Sequence, residues 1–406
     1  MNQPAKKILF LSTYPIKVPR HGGQIRLASL MKVFEKNGWE THHVAICDED
    51  AYDLAKIGDH DILFPKSSSH RLYKNNSVPF ISDLTSGYFA SKESRVINKV
   101  IKEMPKDLDV IHVEQPWLFS FAKKLRSQNP QKTKLVYGSQ NVEYGLKAEI
   151  FKMFGLADTL GIIEEIQTIE KTATKEADLV LAVSHQESET FQGWGAREVA
   201  IALNGATLPQ TTPKKREEWM VKLPENPFAL FVASAHPPNF SGWLDLLGPA
   251  LGYIPPGSKL VVAGSVCEHI YNILNNSNYS SLNLPKLQLL YELDDADLSA
   301  VKSLAALFLI PLKTGFGTNL KTAEALISKK TVVSSEKGMR GYEEFKSLSQ
   351  VTVSDQKEIL HSAIRKGLSP ESVMKIATEK RDQPDPVKLA WDHCLGKLPS
   401  LYASIR

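Results

Sequence analysis

The stretch PLKTGFGTNLKTAEAL, Pro311 to Leu326, sets two lysines, two glycines and a glutamate around the start of a helix. Residues 306–312 form an apolar run of strand length, and residues 319–327 have helical spacing with Thr318 or Asn319 as the N-cap. Residues 331–335 read as the next strand. Strand, glycine loop, helix and strand make a βαβ unit, whose loop falls at the carboxyl end of a parallel sheet, where α/β folds bind ligands. Free amides at the helix start, here those of Gly317 to Asn319, favour an anion. Gly315 and Gly317 let the backbone come close to it, and Lys313 and Lys321 add formal positive charge, so the chemistry is that of a phosphate site. Standard phosphate motifs are absent: no Gly-Lys-Ser/Thr ends the loop, and Leu320 stands where a dinucleotide fingerprint has its third glycine. The plain alternative is an ordinary helix start behind a loop that needs two positive φ angles.

The elements that must carry this loop are legible along the chain. Strand and helix signals alternate through KILFLSTYP, a helix from Gln24 to Lys36, THHVAIC, DVIHVEQ, KLVYGSQ, a long helix over residues 158–176, and DLVLAVS. A polar, proline-bearing stretch, TLPQTTPKKREEW, follows, and a second series opens with FALFVASA, KLVVAGS, LQLLYEL, ALFLIPL and TVVSS. The pattern predicts two α/β domains, 1–205 and 206–380, with residues 381–406 as a closing helix that returns to the first. Three scattered cysteines, Cys47, Cys267 and Cys394, suit a reducing compartment and give no metal-ligand spacing. The short apolar run after Lys6 and Lys7 is too brief for a signal-peptide core, which predicts a cytosolic protein. Net charge is only +4, yet Pro65 to Lys134 holds thirteen Lys and Arg against six acids. That excess reads either as a solvated face or as attraction to anionic lipid or acceptor phosphates, making peripheral membrane contact possible; no nucleic-acid motif accompanies it.

Two similar α/β halves outline the GT-B glycosyltransferases, and the ordered motifs sharpen the likeness. The loop from Pro15 through Gly22-Gly23 to Arg26, DVIHVE, NVE, ADLVLAVS, LNGA, HPPNFSG, the Pro311 to Leu326 segment, TVVSS and GMRG together resemble the retaining family-4-like glycosyltransferases, over nearly the whole chain. The resemblance implies two Rossmann-like domains facing across a cleft and transfer of a sugar from a UDP- or GDP-sugar to a hydroxyl of a glycan or lipid-linked acceptor of the cell envelope or a polysaccharide. It implies no cofactor and no metal, with domain closure bringing the acceptor from the Gly22-Gly23 side.

Residue by residue, the resemblance puts the diphosphate at Lys313, Gly315, Gly317, Thr318, Asn319 and Lys321, and gives Glu324 the ribose. Ser234 and Asn239, around HPPNFSG, join the donor contacts, and Gly22 and Gly23 approach phosphate or acceptor. His112 and Glu114 alternate on one strand face, and either matches a histidine that relatives carry near the reacting sugar; Lys321 completes the catalytic set. Each has a plainer reading: a surface ion pair for Lys321 and Glu324, a helix-start turn with a surface arginine for Gly22 to Arg26, a core histidine for His112, and a helix N-cap for Asn141, which with Glu143 matches a further motif. The family pattern of Glu, seven residues, Glu is broken by Phe316, and Ala233, Ser234 and Ser241 stand where relatives carry a diphosphate-clamping Arg and Lys. Asp48-Glu-Asp50 and Asp107-Leu-Asp109 have the D-x-D form of metal-dependent transferases but lie at exposed strand ends, and lysines with helix amides can neutralise a diphosphate without a metal. A non-catalytic subunit with a decayed donor site is the main rival reading, and a dinucleotide-dependent oxidoreductase is a weaker one.

Overall fold

The computed structural model describes residues 5–127, 132–369 and 384–405. By their internal contacts the residues form two units: Met1–Asn204 with Phe316–Thr318 and Trp391–Arg406, and Gly205–Gly315 with Asn319–Ala390. The return to the first unit thus comes at Trp391, whereas the expected change at residue 381 lies outside the described residues.

In the first unit the strands are β1 (Lys7–Ser12), β2 (Glu40–Asp48), β3 (Ile62–Phe64), β4 (Val110–Glu114), β5 (Lys134–Gly138), β6 (Leu179–Ala182) and β7 (Val199–Ile201). They pair in the order β3-β2-β1-β4-β5-β6-β7, each pair parallel. Parallel strands joined by helical crossovers are covered on both faces, which is why β1 and β6 are nearly continuous apolar runs. The exception is β4, whose His112 and Glu114 are buried with the rest. Register sets His112 between Phe10 of β1 and Val136 of β5.

In the second unit β8 (Ala229–Val232), β9 (Leu260–Ala263), β10 (Leu287–Leu290), β11 (Leu307–Ile310), β12 (Thr331–Ser334) and β13 (Val351–Val353) form a parallel sheet in the order β10-β9-β8-β11-β12-β13. The order reverses beside β8 and β11, so the loops after these two strands bound the crevice where such sheets take ligands. The segments that follow β8 and β11 are HPPNFSG and the glycine loop.

The tail differs from the single helix expected. It forms a 3₁₀ turn at Pro386–Leu389 and short helices at Trp391–Cys394 and Leu398–Ser404. Gly396 and Pro399 divide it: a Cβ at 396 would strike the Asp392 carbonyl, and proline is tolerated only in the first turn of a helix. The 3₁₀ turn belongs to the second unit and the two short helices to the first, where Asp392 pairs with Lys36 and Tyr402 reaches β4. The long helix starts at Ile162 instead of residue 158, because Asp158 accepts from the Ile162 and Ile163 amides and caps it from outside.

Candidate functional site

The crevice side of the second unit is built by two helices with proline- or glycine-bearing entries. Helix Pro237–Leu246 follows β8, with Pro237 and Pro238 in a first turn that tolerates them. Helix Leu320–Ile327 follows β11, and its inward face Thr322, Ala323, Ala325, Leu326 and Ile327 is buried, which turns Lys321 and Glu324 toward the open side. Gly315 and Gly317 have φ of 123° and 65°, the positive values expected of the loop. The Gly315 carbonyl accepts from the Arg340 guanidinium, a clamp drawn from the GMRG segment.

Asn319 is the N-cap of this helix, yet its side chain makes no capping hydrogen bond. Among the described residues, the Thr318 and Asn319 amides have no acceptor. An uncapped helix start with free N–H groups carries partial positive charge and favours an anion.

Lys321 does not pair with Glu324. Its ammonium donates to Asn239 Oδ1 at 2.7 Å, and Asn239 donates from Nδ2 to the Ser234 carbonyl at 2.9 Å. Three residues assigned to the donor, from two separate segments, are therefore hydrogen-bonded in one chain. Burial lowers the Lys321 pKa to about 8, with Glu324 pulling it back up. An ammonium so desolvated gains more from a phosphate than one in bulk water does. His236, at the start of the neighbouring helix, has its pKa held down by burial and then by the charge of Lys321. The Lys321 ammonium also sits 5.8 Å from the Phe231 ring centre.

Glu324 is held instead by Lys302, whose ammonium donates to Oε2 at 2.7 Å. Its Oε1 has no partner among the described residues, so the carboxylate is fixed by one oxygen and open at the other. The surface ion pair between Lys321 and Glu324 is thus replaced by two distinct attachments. Lys313 is more loosely held, exposed and 3.7 Å from Asp245.

In the first unit His112 and Glu114 lie differently from the open strand end expected. Both are fully buried: His112 Nε2 is 2.7 Å from Glu114 Oε2 and its Nδ1 is 2.7 Å from the Tyr402 hydroxyl. The reason is Arg26, which is not a surface arginine but is 2% exposed, with Nε 3.5 Å from Glu114 Oε1 and Nη1 donating to Ala202 O and Asn204 Oδ1. Burial raises the Glu114 pKa, but the His112 hydrogen bond and the charges of His112 and Arg26 outweigh it, leaving it below the usual value.

Helix Gly22–Lys36 begins at the two glycines. Neither has positive φ; Gly23 is required by close approach, since a Cβ there would lie 2.6 Å from Gln140 Oε1. Thr318, grouped with the first unit, accepts on Oγ1 from Asn204 Nδ2 at 2.8 Å, and a Cβ at Gly317 would strike Asn141 and Gln140. Asn141 is not a helix cap, Val142 being the cap residue; it donates to Glu143 at 3.3 Å.

The two D-x-D pairs are engaged by cations of the chain. Asp48 and Asp50 pair with Arg71 and Lys66, and Asp107 pairs with Lys7. No cluster of three or more metal-ligating side chains occurs among the described residues.

Sequence reasoning missed Lys302, Arg340 and Arg26 as positioning groups. Arg340 and Arg26 each stand inside a sequence motif, GMRG and the Gly22-Gly23 segment, whereas nothing local marked Lys302.

Neither a family model nor a curated protein matches this sequence. Solved structures do. A sucrose-phosphate synthase from Thermosynechococcus elongatus is similar at 14% identity and TM-score 0.71, over 98% of this chain and 99% of that one. HepE from Anabaena, in complex with UDP and glucose, is similar at 14% identity and TM-score 0.67, over 98% and 100%. The catalytic domain of starch synthase IV from Arabidopsis thaliana, bound to ADP and acarbose, is similar at 13% identity and TM-score 0.66, over 99% of both chains. Identities this low show the fold: two parallel-sheet α/β domains of the GT-B glycosyltransferase type.

Proposed function

We propose that this chain is a glycosyltransferase that takes a sugar from a nucleotide-diphosphate donor and passes it to a hydroxyl of a glycan, lipid-linked or other envelope or polysaccharide acceptor, retaining the anomeric configuration. The observation that carries the reading is the Ser234–Asn239–Lys321 chain beside an uncapped helix start, one turn before a carboxylate with a free oxygen. In this reading the diphosphate lies on the Thr318 and Asn319 amides, between Lys321 and Lys313, and Glu324 Oε1 accepts from a ribose hydroxyl. Structural neighbours crystallised with UDP, glucose and ADP support a nucleotide donor, and UDP- and GDP-sugars are the first to test.

The chemistry follows from where charge develops. As the bond from anomeric carbon to phosphate oxygen breaks, negative charge grows on the leaving diphosphate, and a desolvated Lys321 stabilises that charge more than it stabilises the intact donor. Asn239 fixes the ammonium, so little reorganisation accompanies the step. The departing phosphate takes the acceptor proton on the face where the new bond forms. Neither cofactor nor metal enters the proposal. His112 and Glu114, sealed by Tyr402 and Arg26, act through position: they hold the carboxyl end of β4. A cytosolic location belongs to the same reading; no described helix is long and apolar enough to cross a membrane.

A second reading, a non-catalytic subunit, is favoured by Phe316, Ser234 and Ser241 at positions where the family pattern carries Glu, Arg and Lys. The test is release of nucleoside diphosphate from UDP-, GDP- or ADP-sugars, in excess EDTA. Slow release, even by hydrolysis, that is lost in Lys321→Ala supports an enzyme. Tight nucleotide binding without any release supports the subunit, and activity restored only by manganese contradicts the metal-free mechanism.

A further inference from the structure

The second unit has a cavity of about 540 Å³ that is not at the crevice. It is lined by Phe228, just before β8, by Ala305 and Ala306, just before β11, and by Lys330, just before β12. The glycine loop and Lys321 follow the other ends of the same strands, so the sheet separates the two places by the length of β11, roughly 13 Å for four residues.

Its chemistry is divided. Met220, Leu223, Phe228 and Leu304 supply an apolar wall, and Arg216 and Lys330 bring two positive charges to the same space against the single acid Glu225. Lys330 is immobilised, its ammonium donating to the carbonyls of Ser303 and Ala305, both on the cavity wall. Arg216 is exposed, and among the described residues its guanidinium donates only to the Met220 sulfur, at 3.5 Å. Burial and then the charge of Arg216 lower the Lys330 pKa to about 8, so the two cations feel one another. Like charges held together beside an apolar wall, with most donors unused, form a poor resting arrangement that an anion would relieve. The volume suits a small metabolite.

We propose that this cavity is a second binding site, separate from the donor site, for a small amphipathic anion: one phosphate or carboxylate on an apolar stem of about eight carbons. The anionic end lies between Arg216 and Lys330 and the stem along Met220, Leu223 and Phe228.

Calorimetry on the full chain with octyl phosphate, octanoate, inorganic phosphate and octanol tests this. Saturable binding of octyl phosphate or octanoate is expected, about tenfold or more weaker in Arg216→Glu, with octanol and inorganic phosphate each weaker by a similar factor. Which of the two headgroups binds better identifies the class. Arg216 is exposed and makes no ion pair among the described residues, so the variant should fold. Lys330→Met is a second variant, informative if its melting profile matches the parent. The proposal is overturned if neither anion binds at ~1 mM, if Arg216→Glu binds octyl phosphate unchanged, if octanol binds as well as the anions, or if UDP or GDP displaces octyl phosphate. Because Arg216→Glu leaves the crevice intact, its nucleotide affinity should be unaltered, and a failure here leaves the donor-site reading standing.

Discussion

His112 and Lys321 were both expected at a reacting centre, and their surroundings could hardly differ more. His112 is enclosed by Glu114, Tyr402 and Phe10, and Glu114 is backed by Arg26 and by Gln140, which donates to its Oε1 at 3.0 Å. Both ring nitrogens and both carboxylate oxygens are used. Lys321 gives one hydrogen bond to Asn239 and Glu324 takes one from Lys302, which leaves each group partly unused on the open side of its helix. A polar cluster that is buried and matched within the chain specifies a fold; one that is oriented but half-satisfied is prepared for a ligand.

The largest effect that would break this contrast is at Arg26. Arg26→Met takes the guanidinium from a buried carboxylate and from the Ala202 and Asn204 acceptors, and should cost about 3–5 kcal/mol of stability, read by urea unfolding, because a buried charge loses the cation beside it. A loss under about 1 kcal/mol would mean that the enclosed network does not hold β4.

Next comes Lys321→Ala, which should lower turnover by roughly 10²- to 10³-fold, and donor affinity by less, since the charge it meets is greatest as the diphosphate leaves. Lys321 also gives the site a pH signature. Its ammonium deprotonates near pH 8 in the free protein, so nucleotide affinity should hold below pH 8 and fall above it, and this fall should be absent in Lys321→Ala. Affinity that is flat to pH 9.5 in the parent contradicts the assignment.

A middle-sized effect lies under the first unit's sheet. Burial pushes Glu143 up to about 7 and Glu170 up to about 8, the Glu143 charge adding to the rise at Glu170, while Glu170 accepts from the Glu143 and Tyr144 amides. A carboxyl raised in the folded state binds its proton there longer than in the unfolded chain. Its favourable contribution is complete below the ordinary carboxylate range and is lost as pH rises toward 8. Glu143→Gln keeps Oε1 as the acceptor for Gln115 and removes the charge. It should raise stability by about 1–2 kcal/mol at pH 8 and leave it unchanged at pH 4. Equal effects at both pH values would show that the pair does not share this strain.

The smallest effect concerns the surface. Phe80 holds φ of 65° while 43% exposed, stacked on exposed Phe154 with ring centres 4.6 Å apart, inside the basic Pro65 to Lys134 region. Phe80→Gly relieves the backbone and should stabilise the fold by about 0.5–1 kcal/mol, yet weaken sedimentation with anionic vesicles at low salt. Parent protein that ignores such vesicles removes the membrane reading.

What the sequence showed and what it hid follow from the range of each interaction. Long strands such as β1 and β2 announce themselves by apolar runs, while β3 and β13, three residues each, carry too little pattern to read. The glycine loop was legible because its lysines, glycines and glutamate fall within sixteen residues. Lys302 is 22 residues from Glu324, and Arg26 is 178 from Asn204, so no local spacing could announce these partners. The fate of His112 was likewise set by a tyrosine 290 residues away. The motif Gly22-Gly23-x-x-Arg26 was visible, but whether the arginine turned outward or inward was a question of packing.

Glu324→Ala tests the donor site most directly. With folding verified by an unchanged unfolding transition, calorimetry with UDP, GDP and ADP should show affinity for the preferred nucleotide lower by about ten- to a hundredfold, on the order of 1.5–3 kcal/mol, as a carboxylate that accepts from ribose is lost. Unchanged affinity in the folded variant would mean that the helix after β11 does not hold the nucleotide.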